Sequence, residues 1–310
     1  MSAKVSVIIP TYNRAALLER AVMSVHDQTY RPIELIIINN ASTDGTKQTI
    51  QSIASRMGSD VFEIVHLDQQ KNDRNAARDR GIKTATGDYI CFLDDDDEYL
   101  PAKLEKQARF LDQNNDVDIV FSNSLLEVNG GTRPFYPSLA SHGLKDHTQE
   151  EVIRQLCDGN FIAITNVMIR AKVIKENPFD LELYSHEDYE LWLRLAPRFR
   201  FDWIDEPLSL VHSHEHEKRY DMKQVRKDQI NAILKHIDSY KICFETMFYK
   251  VVRLKRILAA EFNDIDYSRA LGITLSKKLE LFKTAEMSSK KGFTRLLSSY
   301  KISKMRKAIK

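Results

Sequence analysis

The chain has 310 residues, of which 43% are hydrophobic and 29% are charged, and this composition is typical of a soluble globular protein with a buried core. No uninterrupted apolar run approaches the roughly 20 residues that cross a bilayer. A strand signal begins at Val5, which leaves no room for a signal peptide. The three cysteines are dispersed without a CxxC pair, which argues against a disulfide framework and a zinc site. We therefore expect one large domain, with or without an appendage, in the cytoplasm.

The charge is divided unevenly along the chain. From Lys277 to the end, eleven basic residues face two acidic ones, so this tail carries +9 and the remainder −7 of the total +2. Two basic amphipathic stretches are predicted to form outer helices with solvated lysines, Lys250–Leu258 and Leu296–Lys310. The alternative is docking on an anionic membrane surface, where each basic residue contributes roughly 1 kcal/mol. Nucleic acid is disfavoured as a partner, because the tail has little aromatic interleaving and no recognisable binding motif.

Strand and helix signals alternate four times in the first hundred residues. This alternation is typical of an open parallel α/β sheet, which binds its ligands beyond the carboxyl ends of the strands. The predicted strands are Val5–Ile9, Glu34–Ile38, Val61–Leu67 and a fourth that begins at Tyr89; the predicted helices are Ala15–Gln28, Thr46–Met57 and Asn75–Ala85.

Polar residues follow three of these strands, at Thr11–Asn13, Asn39–Asn40 and Asp94–Asp97. Each close pair of unscreened carboxylates costs on the order of a kcal/mol or more, so the acidic run needs a counter-charge. A divalent cation held by oxygen ligands is the usual one. The alternative is an acidic loop that caps the next helix, and we assign Asp97 and Glu98 to that role. The joint placement of the three groups at one sheet edge favours a ligand site.

The second part of the chain gives weaker signals. We expect a long loop over Asn129–His147, and a helix capped by Ser185 with Glu187 and Asp188 in its first turn. His212, His214 and His216 alternate, which suits metal ligands or a solvated turn. The remaining predictions are helices over Pro101–Asn114 and Thr148–Cys157, strands over Asp118–Ser122, Phe161–Ile169, Arg200–Trp203 and Leu208–His212, and helical structure from Met222 onward.

Two nucleotide-binding signatures are absent from the sequence. No GxGxxG follows the first strand and no GxxxxGK[ST] occurs, which disfavours a dinucleotide dehydrogenase and a P-loop NTPase. A phosphate bound here would be held by a cation rather than by a glycine cradle.

Six motifs, in order over about 215 residues, resemble those of family 2 glycosyltransferases. They are Val5–Arg14; Ile38–Thr46; Ala77–Ile82 with Ala85–Ile90; Phe92–Asp97; Phe179–Asp180 with Glu187–Asp188; and Pro207–Leu208 with His214. The resemblance implies a GT-A-type α/β fold, an open and mostly parallel twisted sheet flanked by helices, with a helical C-terminal extension. It implies a catalytic domain over residues 1–220, with the nucleotide-binding half at about 1–100 and the acceptor half at about 101–220. Residues 221–310 form the basic extension.

The resemblance also implies an activity. A hexosyltransferase of this kind transfers a sugar from a nucleotide-diphosphate sugar to a saccharide or lipid-linked saccharide, with inversion and with Mg²⁺ or Mn²⁺. It implies Asp188 as general base, Asp96 as metal ligand and His214 as a further ligand. The implied nucleotide-binding residues are Pro10, Thr11, Tyr12, Arg14, Asn40, Arg78, Asp94 and Asp95. The implied setting is surface polysaccharide or glycolipid synthesis, in the cytoplasm and peripheral on the inner face of the cell membrane.

Three positions depart from the family pattern, since Asn39, Arg74 and Asp79 stand where Asp, Gly and Asn are usual. An Asn at the base pocket can both accept and donate, so the donor stays open. One competing hypothesis is a sugar nucleotidyltransferase, which expects a Gly-rich basic loop that Pro10–Asn13 lacks. Another is a nucleotide- or cation-binding scaffold that has lost catalysis, against which Asp96 and Asp188 argue.

Overall fold

The computed structural model describes residues 2–128, 130–212, 221–240, 243–289 and 293–309, with the backbone alone over 285–289 and 293–300. The chain divides into two compact units, which are described separately. The first holds Met1–Gln155, Asn160–Glu182 and Arg198–Glu217, and the second holds Leu156–Gly159, Leu183–Pro197 and Lys218–Lys310. The predicted boundary near residue 220 stays a prediction.

A mixed sheet forms the centre of the first unit. Its described strands are β1 (Val5–Thr11), β2 (Ile33–Asn40), β3 (Phe62–Gln69), β4 (Tyr89–Phe92), β5 (Glu98–Tyr99), β6 (Ile119–Val128), β7 (Gly131–Pro134), β8 (Val167–Arg170) and β9 (Phe201–His212). They lie in the order β3-β2-β1-β4-β8-β6-β9-β5, with β7 paired to β6. The pairs among β3, β2, β1 and β4 are parallel, as is β6–β9, whereas β8, β7 and β5 pair antiparallel. The predicted α/β fold class is confirmed.

The described α-helices flank this sheet and build the second unit. Those that begin in the first unit are α1 (Ala15–His26), α2 (Thr46–Met57), α3 (Arg74–Thr84), α4 (Lys103–Gln113), α5 (Gln149–Asp158) and α6 (Ala171–Glu176). The second unit holds α7 (Glu187–Leu195), α8 (Met222–His236), α9 (Phe244–Glu261), α10 (Ile265–Ser289) and α11 (Phe293–Ile309). Helical structure from Met222 onward is therefore confirmed for the described residues.

Strands β1, β2 and β4 lie in the core of the first unit. All residues of β1, β2 and β4 are buried, as expected for parallel strands covered on both faces. In α3, a Cβ added at Gly81 would lie 2.5 Å from Ile8 Cγ2, so only glycine allows this helix to approach β1 so closely. This approach holds α3, with Arg78 one turn before Gly81, against the centre of the sheet.

The structure corrects several predicted boundaries. The predicted loop Asn129–His147 contains β7, which forms a hairpin with an extended β6. The two predicted strand pieces near Pro207 form one strand, β9, because a register irregularity opposite Asn123 accommodates the proline. Helix α4 begins at Lys103 rather than at Pro101.

The prediction that Ser185 caps α7 is wrong. The N-cap is His186, which has a left-handed φ of 58° and makes no side-chain capping bond. Ser185 instead donates its backbone N–H to Asp228 Oδ2 of α8 at 2.9 Å. Glu190 in α7, also buried, accepts from Arg194 and lies 2.7 Å from Nε2 of His236. Buried carboxylates thus fix α7 against α8 within the second unit.

Candidate functional site

The loops after β1 and β2 are joined by hydrogen bonds at one edge of the sheet. Asn13 donates its backbone N–H to Ser42 Oγ at 3.0 Å, and its side-chain oxygen accepts from the Thr43 N–H at 2.8 Å. Asn13 has a φ of 53°, a left-handed conformation that asparagine tolerates better than most residues. The result is a fixed loop in which the Tyr12 ring is 42% exposed.

The other predicted residues of the first strand lie beside this ring. Pro10 and Thr11 end β1 in register with Ile38 and Asn39 of β2, and both are buried. Arg14 lies just before α1, and its backbone N–H donates to Thr46 Oγ1 at 3.0 Å. Pro10, Thr11 and Arg14 thus lie at this edge of the sheet, where Tyr12 presents an exposed aromatic ring.

The acidic loop after β4 is held by a buried cation. Arg78, only 1% exposed, donates to Asp94 Oδ1 at 2.7 Å and lies over the Phe179 ring at 5.7 Å. The Asp94 carboxylate is about a third exposed, so one side of it faces solvent while Arg78 fixes its orientation. The sequence offered no direct signal for this pair; it depends on the close packing of α3 on the sheet.

Burial and the neighbouring carboxylates raise the pKa values of Asp95 and Asp97 in the same loop. Burial, with added repulsion from Asp96 and Asp94, raises the pKa of Asp95 to about 7, although the Thr11 hydroxyl opposes the shift. Burial and the same two neighbours raise the pKa of Asp97 to about 8. Asp96 itself is 8% exposed. Asp95 and Asp97 therefore tend to bind protons near neutral pH, and a positive charge placed among Asp94–Asp96 would favour their ionised forms.

Asp97 and Glu98 do not cap the next helix, so that prediction is wrong. Asp97 accepts from the backbone N–H of His212 at 3.1 Å and from Thr165 Oγ1 at 3.2 Å. Glu98 lies in β5, where its carboxylate contacts Arg20 Nε at 3.2 Å and His212 Nε2 at 2.8 Å. These bonds attach the acidic loop to the end of β9.

His212 is the described member of the alternating histidines, and it was not singled out from its neighbours in the sequence. Its ring is mostly buried and bonds to both Glu98 and Glu127. Its glutamate partners lie in β5 and β6. Both of these strands pair with β9, although they are far from it in the sequence. His214, the predicted further metal ligand, lies outside the described residues.

Asn40 is almost fully buried, and its carboxamide organises the neighbouring loop. Its oxygen accepts from the Asp73 N–H at 2.8 Å and from Gln69 Nε2 at 2.9 Å, and its nitrogen donates to Asn72 at 2.9 Å. The predicted contact of Asn40 with a base remains a prediction.

Asn39, one of the departures from the family pattern, has a physical explanation. Its Nδ2 donates to Asp68 Oδ1 at 2.8 Å. An aspartate at this position would put two carboxylates in contact, whereas asparagine donates to the acid. Lys47 also pairs with Asp68, at 2.7 Å.

Asp188 belongs to the second unit. It lies in the first turn of α7 and is partly buried, and its Oδ1 accepts from the Tyr189 N–H at 2.7 Å. The Tyr189 hydroxyl donates to the Leu156 carbonyl at 2.7 Å, which fixes this turn. A helix N-terminus favours the ionised form of a carboxyl group.

Neither a metal-holding cluster nor a membrane-spanning helix is found among the described residues. No group of three or more His, Cys, Asp or Glu side chains there is arranged to hold a metal ion. None of the described helices is both long and apolar enough to cross a membrane. Cys91, Cys157 and Cys243 are buried free thiols.

Comparisons with known sequences give the family. Residues 6–177, more than half of the chain, match the model of Glycosyl transferase family 2. An uncharacterized glycosyltransferase of Rickettsia felis is 34% identical over 67% of this chain, but the match covers only 33% of that protein. The chain thus spans about a third of the length of the relatives from Rickettsia felis, Rickettsia bellii and Rickettsia conorii.

Two relatives of more similar length have named activities. The amylovoran biosynthesis glycosyltransferase AmsB of Erwinia amylovora is 29% identical over 67% of this chain and 69% of that protein. The GalNAc(5)-diNAcBac-PP-undecaprenol beta-1,3-glucosyltransferase of Campylobacter jejuni is 27% identical over 62% of this chain and 59% of its own length.

Solved structures give the fold. S. aureus TarS 1–349 in complex with UDP-GlcNAc superposes with a TM-score of 0.66 at 18% identity, over 99% of this chain and 90% of that one. The mannosyltransferase PcManGT of Pyrobaculum calidifontis, in complex with GDP-Man and Mn²⁺, gives 0.54 at 14% identity, over 100% of this chain and 85% of that one. With this fold and the match over residues 6–177, the chain belongs to glycosyl transferase family 2 and has the GT-A fold.

Proposed function

We propose that this glycosyltransferase moves a hexosyl group from a nucleotide-diphosphate sugar to a hydroxyl of a saccharide or lipid-linked saccharide, with inversion at the anomeric carbon. The observation that carries the proposal is the sheet edge itself. There the fixed loop of Tyr12 adjoins an acidic loop that Arg78 orients and in which burial and neighbouring carboxylates raise the pKa of Asp95 to about 7. Support for the acceptor class comes from the Campylobacter relative, whose name states a lipid-linked saccharide.

The donor nucleotide would lie along the loops after β1 and β4. The exposed ring of Tyr12 gives a stacking surface for the base, framed by Pro10 and Thr11. Asp94 and Asp95 would accept hydrogen bonds from ribose hydroxyls, and Asn40, Arg14 and Arg78 would support nucleotide binding from the loops around them. The buried charge of Arg78 would hold Asp94 in one orientation before the donor arrives, which reduces the entropy lost on binding.

The acidic loop is the proposed place for Mg²⁺ or Mn²⁺. Asp96 would be its ligand, with Asp94 and Asp95 holding coordinated water, His214 as a further ligand, and the donor diphosphate supplying more oxygens. When bound, such a cation neutralises negative charge on the diphosphate leaving group. The raised pKa values of Asp95 and Asp97 fit this assignment, because a bound cation would offset the burial and the repulsion between carboxylates that raise them.

Asp188 is the proposed general base. Its carboxylate would take the proton of the acceptor hydroxyl as that oxygen forms a bond to the anomeric carbon. The bond from this carbon to the diphosphate oxygen breaks on the opposite face, which inverts the configuration. The base must stay ionised near neutral pH, and its place in the first turn of α7 supports this.

The proposed setting is the synthesis of a surface polysaccharide or glycolipid, on the cytoplasmic face of the cell membrane. Contact with anionic lipids would come from the basic residues of the C-terminal extension, which carries +9 from Lys277 onward. The stretch Lys250–Leu258 would contribute less to membrane binding than its sequence suggests, because its apolar residues Val251, Leu254 and Leu258 are buried in α9.

Donor titration tests this function. We expect one nucleotide-diphosphate sugar from a panel of UDP, GDP and dTDP sugars to raise the melting temperature in the presence of Mn²⁺. A donor that binds only the folded state adds about 2.7 kcal/mol to the free energy of unfolding when its free concentration is 100 times its Kd. The same sugars with EDTA are the control. A panel in which no donor changes the melting temperature would contradict the proposal.

A further inference from the structure

The carboxylate of Asp228, in α8, accepts hydrogen bonds from the segment that leads into α7. Its Oδ2 accepts from the backbone N–H of Tyr184 at 3.0 Å and of Ser185 at 2.9 Å, and from Ser185 Oγ at 3.3 Å. Its Oδ1 accepts from Gln224 Nε2 at 2.7 Å. All of these residues belong to the second unit. A side chain of the C-terminal extension thus binds the backbone that immediately precedes α7.

These hydrogen bonds lie where water has little access. Asp228 is 2% exposed and Ser185 is 5% exposed. A buried N–H group that loses its acceptor pays the full cost of its desolvation, so the native position of this backbone depends on the acceptor. We therefore expect Asp228 to hold the backbone of Tyr184 and Ser185 in one position.

The backbone between Ser185 and Asp188 is constrained as well. His186, the N-cap of α7, has a φ of 58°, a left-handed conformation that few residues other than glycine adopt. Its carbonyl accepts from the Glu190 N–H at 2.9 Å, which begins the hydrogen bonding of the helix. Asp188 lies in the turn that this bond closes. A shift of the Ser185 backbone is therefore expected to move the Asp188 carboxylate with it.

Asp188 is anchored separately on its other side. Tyr189 is fully buried, and its hydroxyl donates to the Leu156 carbonyl at 2.7 Å. The Tyr189 N–H donates in turn to Asp188 Oδ1 at 2.7 Å. The Asp188 carboxylate thus lies between two anchors, and Asp228 supplies an anchor on the N-terminal side.

We propose that Asp228 is a positioning residue for the general base. It fixes the backbone before α7 and thereby sets the place of the Asp188 carboxylate relative to the acceptor hydroxyl. Proton transfer requires hydrogen-bond reach, and a misplacement of about 1 Å can lower the rate about a hundredfold. This role rests on the proposed function, in which Asp188 is the base. It extends the residues on which catalysis depends beyond the predicted catalytic domain, residues 1–220, and beyond the family match over residues 6–177.

Two variants of the full chain at Asp228 test the proposal. Asp228→Ala removes the acceptor, and we expect kcat for transfer to decrease about thirtyfold to a hundredfold. Donor Kd should stay within about twofold, because the proposed donor contacts lie in the first unit. Asp228→Asn keeps an oxygen for the Tyr184 and Ser185 N–H groups, and its nitrogen can donate to Gln224 once that carboxamide has turned over. Its kcat should be within about threefold of the wild type.

A double-mutant cycle separates positioning from general support of the fold. Because Asp228 acts through Asp188, adding Asp228→Ala to Asp188→Asn should change kcat by less than about twofold. A residue that supports only the fold would lower the turnover of both backgrounds by the same factor. If Asp228→Ala does not fold, Asp228→Ser takes its place in the cycle, since its shorter side chain keeps at most part of these bonds.

Asp221→Ala is the matched structural control on the same helix. Asp221 caps α8, where its side chain accepts from the Lys223 N–H at 2.9 Å, and it is exposed. Loss of this cap should lower the melting temperature by about 2 °C or more and leave kcat unchanged. A decrease in kcat confined to Asp228 then does not arise from a less stable α8.

The outcomes separate this proposal from the proposed function. Wild-type turnover by Asp228→Ala would overturn the positioning role, and so would an equal loss in both backgrounds of the cycle. An Asp228→Asn variant as slow as Asp228→Ala would also contradict it, because the asparagine retains the hydrogen bonds. Turnover of Asp188→Asn alone tests the base assignment, without any change at Asp228.

Discussion

The Asp188→Asn variant should turn over about a thousandfold more slowly than the wild type, with donor affinity within about twofold. The amide has nearly the shape of the carboxylate but cannot take the proton from the acceptor hydroxyl. Asp188 accepts a hydrogen bond from the Tyr189 N–H at the start of α7, and an asparagine oxygen can accept it as well. The fold should therefore survive. The measurement is kcat for transfer, with donor Kd determined separately by titration.

The matched control for this variant is Glu261→Gln, which removes an exposed carboxylate at the end of α9 in the same unit. Its turnover should equal that of the wild type. Comparable turnover by Asp188→Asn and the wild type would show that the base assignment is wrong. A loss of donor affinity in Asp188→Asn, together with a lower melting temperature, would indicate damage to the fold.

The Asp96→Asn variant should lose the dependence of donor binding on Mn²⁺, with donor affinity reduced about a hundredfold. An amide oxygen is a poorer ligand than a carboxylate for a hard cation, and the loop loses one negative charge. Without metal, the variant should be at least as stable as the wild type, because repulsion from Asp95 and Asp97 decreases. Calorimetric titration with the donor, at several Mn²⁺ concentrations, measures the effect.

Asp97→Asn provides the control within the same loop. Asp97 is as buried as Asp96, but its carboxylate is engaged by the His212 N–H and by Thr165. We expect this variant to keep its response to Mn²⁺. If Asp96→Asn gave the same titration curve as the wild type, Asp96 would have no part in metal binding.

The first hundred residues were well predicted from the sequence because their signals are local. Helix α2 has the predicted limits Thr46–Met57, and β1, β2 and α3 differ from prediction by only a few residues. Buried parallel strands appear as apolar runs, and the helices between them show a period near 3.6. The meeting of three polar loops at one edge followed from the carboxyl-end rule for such sheets, and Asn13, Ser42 and Thr43 bear it out for two of the loops.

The contacts that the sequence did not predict are those between distant segments. The antiparallel strand β8 lies between β4 and β6, and β9 pairs parallel with β6, so neither pairing follows from a local pattern. Asp97 and Glu98 looked like helix caps because their partner, His212, lies more than a hundred residues later. Likewise, the sequence shows only that Asn39 departs from the family pattern. The reason, a hydrogen bond from Asn39 to Asp68, is visible only in the fold.

The central claim is transfer from a nucleotide-diphosphate sugar, and analysis of the reaction products tests it most directly. The full chain would be incubated with Mn²⁺, a donor found by titration and a lipid-linked saccharide. Nucleotide analysis would follow the leaving group, and proton NMR of the anomeric position would follow the new bond. We predict release of a nucleoside diphosphate and a glycoside of inverted configuration. Retained configuration would contradict the account, and so would formation of a nucleotide sugar and pyrophosphate from a nucleoside triphosphate and a sugar phosphate.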